Sequence, residues 1–192
     1  MLSREAVVER KTRETTVKVR VNLDGNGKCR CKLPLGFLSH MIATLAKHSS
    51  IDIEVEGEGD LPHHLAEDVG LTLGKALKKA LKQGKGIKRF GFALIPMDDA
   101  LAVAAVDVSG RSYAVINLKV EGDVEGVKAG HISHFLSSLA CEAGLTLHLH
   151  VLYGENAHHM VEAAFKAFAT ALKQAITPLN TATPSVKGVV EL

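Results

Sequence analysis

Six histidines and two glutamates follow a duplicated rule in this chain. The pattern "HHLAE" spans His63–Glu67, and "HHMVE" spans His158–Glu162. In each, an adjacent histidine pair (His63 and His64, or His158 and His159) precedes a glutamate, Glu67 or Glu162. A lone histidine stands upstream of each copy: His40 in "LSHM" and His134 in "ISHF". Imidazole nitrogen with carboxylate oxygen is a ligand set for divalent transition metals. The repetition predicts two metals or one symmetric site. Three imidazoles and a carboxylate leave an octahedral ion room for water or substrate, which suits manganese, iron or zinc. Single histidines such as His131, His148 and His150 lack the repetition and read as ordinary half-exposed side chains. No "HExxH" occurs, which disfavours a metalloprotease.

Those side chains need helices to carry them. Apolar residues at Leu65, Val69, Leu73, Leu77 and Leu81 predict a helix from His63 to about Gln83, ended by "GKG". A matching helix is predicted at about Ala157–Ile176. Shorter helices are expected at Phe37–His48, carrying His40, and near Ile132–Ala143, carrying His134. Adjacent residues on a helix point about 100° apart, so one pair of histidines can serve two metals. Alternating residues predict strands around Val17–Val21, Ile51–Val55, Phe90–Ile95, Leu101–Val108, Tyr113–Leu118 and Leu145–Tyr153. "DGNG" at Asp24–Gly27 reads as a hairpin turn into a strand at about Lys28–Leu33. Each half therefore reads strands, helix, strand, helix. The expected fold is α+β, two duplicated ββαβα-type halves with the helices on one face of each small sheet. The halves would be residues 1–88 and 89–192, the second ending in a tail, 178–192.

The chain of 192 residues is 46% hydrophobic and 23% charged, an ordinary globular balance. A net charge of +2 gives no basic footprint for nucleic acid. No apolar run approaches a membrane span. The charged N-terminus lacks the apolar core of a secretion signal, and Cys29, Cys31 and Cys141 form no disulfide framework. A cytoplasmic protein without membrane or nucleic-acid partners is expected.

Read together, "RETTVKVRVNLDG", "HHLAEDVGLTLGKAL", "RFGFALIPMDDAL", "VDVSGR", "SHFLSSL", "LTLHLH", "YGENAHHMVEAAFKAFA" and "PSVKG" resemble the imidazoleglycerol-phosphate dehydratase family of histidine biosynthesis. The likeness runs from about Arg10 to Gly188. It implies a duplicated ribosomal-protein-S5-like fold and two Mn(II) per active site. One ion would take His63, His134, His158 and Glu162; the other would take His40, His64, Glu67 and His159. In the family the ligands come from neighbouring subunits of a homo-oligomer of twenty-four chains built from trimers. The resemblance places the substrate phosphate on Arg89, Arg111, Ser185 and Lys187, with the tail closing over it. It makes Glu14 an acid/base and brings His48 and Lys166 beside the site.

The implied reaction dehydrates D-erythro-imidazoleglycerol phosphate to imidazole-acetol phosphate. The proton to be removed has no adjacent carbonyl, so it is weakly acidic. A substrate imidazole between two cations loses its N–H easily. The imidazolate can then expel the hydroxyl through a diazafulvene-like intermediate, and a second base takes the carbon-bound proton. The resulting enol ketonises.

Family members usually carry an acidic pair in a longer loop before the first "HH"; here "GDLP" leads almost directly into His63. Ser39 and Thr44 stand where aspartate and glutamine are usual. These departures bear on how the ligands are oriented. They keep two other readings open: another metal-dependent lyase or hydrolase acting on a phosphorylated substrate, and a non-catalytic metal-binding homologue.

Overall fold

A computed structural model describes residues 3–82 and 86–179. The first half runs β1 (Glu5–Lys11), β2 (Thr15–Asn22), β3 (Cys29–Lys32), α1 (Gly36–Ser49), β4 (Asp52–Gly59) and α2 (Pro62–Leu81). The second runs β5 (Phe90–Met97), β6 (Ala100–Val108), β7 (Tyr113–Asn117), a short hairpin β8 (Asp123–Val124) and β9 (Val127–Lys128), α3 (Ala129–Glu142), β10 (Leu145–Tyr153) and α4 (Ala157–Ile176). The sheets repeat one topology, β1-β2-β4-β3 and β5-β6-β10-β7. The α+β duplication is as expected, with four strands in each sheet; the first sheet gains β1, an antiparallel edge that the sequence reading did not name.

The expected hairpin at "DGNG" does not form. β3 pairs parallel with β4 instead of folding back on β2. Asp52 Oδ1 accepts the backbone N–H groups of Asn26 and Lys28 at 2.9 and 2.8 Å, which ties this loop to the start of β4.

Inward residues of β2, such as Val17, Val19 and Val21, are fully buried. The outward rows of the first sheet alternate in charge: Glu9, Lys18, Glu56 and Lys32 stand side by side across four strands. Lys32 Nζ pairs with Glu56 at 3.1 Å and Arg20 with Glu5 at 3.2 Å. That face is built for water. Among the described residues, no helix is long and apolar enough to cross a membrane.

The helices lie between the sheets and pair across the halves, α2 against α3 and α1 against α4. The α2–α3 approach depends on glycine. A Cβ on Gly70 would lie 2.6 Å from the Phe135 carbonyl oxygen, and one on Gly74 would lie 2.5 Å from that of Leu139. Overpacking such a seam costs about 1–3 kcal/mol. Gly74→Ala is therefore expected to lower stability by that amount despite alanine's better helix propensity. Urea unfolding at unchanged m-value checks it, and a stabilised variant would show that α2 and α3 do not meet this closely.

Candidate active site

The cross-half helix pairing assembles the duplicated ligands. His63 and Glu67 sit four apart on the first turns of α2, so they share a face. That face meets His134 of α3: Glu67 Oε2 lies 3.3 Å from His134 Nε2 and 3.9 Å from His63 Nε2. The His63 and His134 rings stack with centroids 5.0 Å apart. The second cluster repeats this through α1 and α4. Glu162 Oε2 lies 3.3 Å from His158 Nε2 and 3.8 Å from His40 Nε2.

In each cluster, the three ligand atoms lie within 4.8 Å of one another. That is close to the span across one ion with bonds of about 2.1 Å. Two imidazoles and a carboxylate suit a divalent transition metal, so both donor sets fit the ion that the sequence calls for.

The grouping within one chain differs from the ligand sets that the resemblance implies across neighbouring subunits. Within the chain, His63 and His134 converge on Glu67, not on His158 and Glu162, and His40 joins His158 and Glu162. The reason is the helix pairing: α2 faces α3, and α1 faces α4. Each cluster still takes one imidazole from the other half.

His64 and His159 join neither cluster. Each is turned away from its neighbour in the pair and held by an aspartate. His64 Nδ1 donates to Asp60 Oδ1 at 2.9 Å, with Glu14 Oε2 at 3.8 Å. His159 Nδ1 donates to Asp99 Oδ1 at 2.5 Å, with Asp98 Oδ2 3.4 Å from Nε2. A carboxylate that accepts from Nδ1 fixes the tautomer and leaves Nε2 as the electron-pair donor. These hydrogen bonds raise the pKa of both imidazoles above the ordinary value. Asp99 does more. Its Oδ2 accepts the N–H groups of Glu155 and Asn156 at 2.6 and 2.9 Å, so it clamps the β5–β6 turn onto the start of α4. The Asn156 N–H, then His159, then the Glu155 N–H hold its carboxyl far below the usual range. Asn156 in turn caps α4, its side chain accepting from the N–H groups of His158 and His159.

Asp60 answers the departure noted in the sequence. The acidic pair is missing just before "HH", yet Asp60 reaches His64 from one helical turn upstream. The spacing was readable in "DLPHH"; Asp99 in "PMDD" lay too far along the chain for any spacing to link it to His159.

Further groups surround the second cluster. Lys166 Nζ lies 3.0 Å from Glu162 Oε1, one turn along α4, and also contacts Met97 Sδ. Although burial pushes the Glu162 carboxyl up, the hydrogen bond and charge of Lys166, with His40 and His158, bring it below its ordinary value. Burial, with the charge of nearby Lys166, lowers the pKa of His48. Glu125 of the β8–β9 turn lies 3.5 Å from His158 Nδ1. At the first cluster, the His131 ring lies 5.3 Å from that of His63. His131 is thus part of the surroundings of the site; a lone histidine gave no sign of it.

The residues expected to hold the phosphate stand elsewhere. Arg89 precedes β5, where Asp107 Oδ1 takes its Nε at 2.8 Å and its guanidinium lies 4.7 Å from the Phe90 ring centroid. Arg111 lies in the β6–β7 loop at the same end of the second sheet. The clusters sit at the other end, by the β5–β6 turn and the start of α4. At about 3.3 Å per residue, β5 separates its two ends by about 23 Å. One chain therefore does not bring Arg89 and Arg111 to its own clusters. Ser185 and Lys187 lie outside the described residues.

The sequence model for imidazoleglycerol-phosphate dehydratase matches residues 34–172. The chain belongs to the imidazoleglycerol-phosphate dehydratase family. It is 43% identical to the enzyme of Thermodesulfovibrio yellowstonii, over 97% of this chain and 100% of that one. Identity to the Dehalococcoides mccartyi enzyme is 46%, with 100% of both chains covered. The Staphylococcus aureus structure superposes with a TM-score of 0.83 at 32% identity, covering 91% of this chain and 99% of that one. The Pyrococcus furiosus structure, in complex with (S)-C348, gives 0.83 at 37% identity, with 95% and 99% covered. The activity is thus that of the family, dehydration of imidazoleglycerol phosphate in histidine biosynthesis.

Asp99 offers a test short of the chemistry. Outer-shell partners of a metal-bound histidine are worth roughly 10–100-fold in affinity. Asp99→Asn is expected to weaken manganese binding within that range while the chain stays folded. Equilibrium dialysis with circular dichroism reads both; unchanged affinity would remove the orienting role.

Proposed function

We propose that the reaction runs with the substrate's imidazolate bridging two Mn(II) ions, in a cytoplasmic homo-oligomer whose copies share their sites. One observation carries the reading. Each cluster offers two imidazoles and one carboxylate, and each long helix holds one further imidazole, His64 or His159, aimed away from both. A spare donor on one copy fits the missing donor on another. The placement of Arg89 at the far end of β5, a strand about 23 Å long, supports the same sharing.

His40, His158 and Glu162 would hold one ion, and His63, Glu67 and His134 the other. Bound there, divalent charge favours loss of the azole N–H. The chain's own residues do the rest. Lys166 neutralises the second oxygen of Glu162 and so fixes that carboxylate. Glu14, 57% exposed at the β1–β2 turn and beside His64, is free to move a proton at the substrate carbon. His48 stands near Lys166, whose charge, with desolvation, lowers its proton affinity, as an imidazole able to relay a proton. Arg89 and Arg111 bind the phosphate of a substrate reaching in from a neighbour's clusters, and Ser185 and Lys187 add donors from the tail.

The test is direct. Manganese-loaded protein incubated with imidazoleglycerol phosphate should yield imidazole-acetol phosphate, read as its enol under base. Protein that binds manganese but gives no product would refute the reading.

A further inference from the structure

The carboxylate that follows Glu67 belongs to neither metal cluster. Asp68 is buried, and on α2 it points about 100° away from Glu67. Its Oδ1 accepts the Arg10 Nε–H at 2.8 Å, and its Oδ2 accepts the Thr15 hydroxyl. Arg10 lies near the end of β1 and Thr15 opens β2. One carboxylate therefore grips both strands on either side of the turn that carries Glu14. Thr12 closes that turn from within. Its Oγ1 accepts the backbone N–H groups of Glu14 and Thr15 at 3.1 and 3.0 Å and lies 3.3 Å from Thr15 Oγ1. The Glu14 carbonyl accepts the N–H of Asp60 at 3.0 Å, and Asp60 is the partner of His64. The backbone of Glu14 is thus held at its N–H, at its carbonyl and through its neighbour Thr15, while its carboxylate stays exposed.

The duplication supplies a contrast. In the second half Ala163 follows Glu162, and Ala100 opens β6; both are buried. Two alanines therefore fill the positions that Asp68 and Thr15 fill in the first half. Replacing a buried ion pair by apolar groups is often neutral or stabilising, so packing alone does not call for a carboxylate here. A fully satisfied buried network does fix the parts it joins.

We infer that Asp68 is a positioning residue for the dehydration. Through Arg10 and Thr15 it sets the β1–β2 turn so that Glu14 stands at the reacting carbon. The inference rests on the reading of Glu14 as the acid/base. A misplacement of about 1 Å at a reacting group can cost about 100-fold in rate.

The test is a double-variant cycle. Thr15→Val keeps the branched shape and deletes the hydroxyl. It should lower kcat about 10–100-fold, with KM and manganese content little changed. Thr15→Ser restores the hydroxyl and should recover most of the rate. In a Glu14→Gln background, Thr15→Val should cost almost nothing more, because the group it positions is gone. Losses that add in full would overturn the inference, as would wild-type kcat in folded Thr15→Val, or a loss of rate that tracks a loss of manganese. If Thr15→Val does not fold, Arg10→Gln, on the half-exposed arm of the network, enters the same cycle under the same criteria. Wild-type kcat in Glu14→Gln itself would sink the acid/base reading, and the inference with it.

Discussion

Replacing Glu162 by glutamine should remove one manganese of two and depress kcat/KM by more than about 100-fold. The lower bound follows from outer-shell partners, which alone are worth roughly 10–100-fold; Glu162 is an inner donor. Its Oε2 is shared between His158 and His40, and its Oε1 is occupied by Lys166. The amide keeps the shape and loses the anion. It also leaves the Lys166 ammonium, 19% exposed, without its carboxylate, so a modest loss of stability should accompany the loss of metal. The duplication sharpens the expectation. Glu67→Gln should remove the other ion to the same extent, because Glu67 stands between His134 and His63 as Glu162 stands between His158 and His40. Metal analysis after gel filtration, alongside steady-state rates, reads both. A Glu162→Gln protein that keeps both ions and its rate would mean that the cluster is an ornament of helix packing.

Glu14→Gln should behave differently. The expected loss is in kcat, about 10²–10⁴-fold, the usual worth of a positioned acid or base. Manganese content should not change. Glu14 belongs to neither cluster and lies 3.8 Å from His64, whose closer partner is Asp60 at 2.9 Å. Loss of rate with the metal intact separates proton transfer from ligation. Parallel loss of metal and rate would instead make Glu14 a support for His64.

The four helices were legible in the sequence because their periodicity and their burial agree. α4 begins and ends where the apolar spacing places it, and α1 and α2 differ from expectation by a residue or two. β1 was not legible. Val8 is its only fully inward side chain, set among Glu5, Glu9, Arg10 and Lys11, which is how an exposed edge strand reads. The β8–β9 hairpin has two residues per strand, too few for any alternation to show. The six residues of the two clusters, and His64 and His159 beside them, were evident from the duplicated motif. Their grouping was not, because two copies of a motif do not say which helix of one half packs on which helix of the other. That choice is made by tertiary contacts, including the glycine seam of α2. The aspartates divide the same way: Asp60 lies within a helical turn of His64, whereas Asp99 meets His159 only after β5 and β6 fold against α4.

The most direct test counts manganese. Equilibrium dialysis of the assembled wild-type protein, at saturating metal, should give two ions per chain, and the value should fall to one in each of the Glu67→Gln and Glu162→Gln proteins. A wild-type chain that holds none, or a double variant that still holds two, would contradict the account.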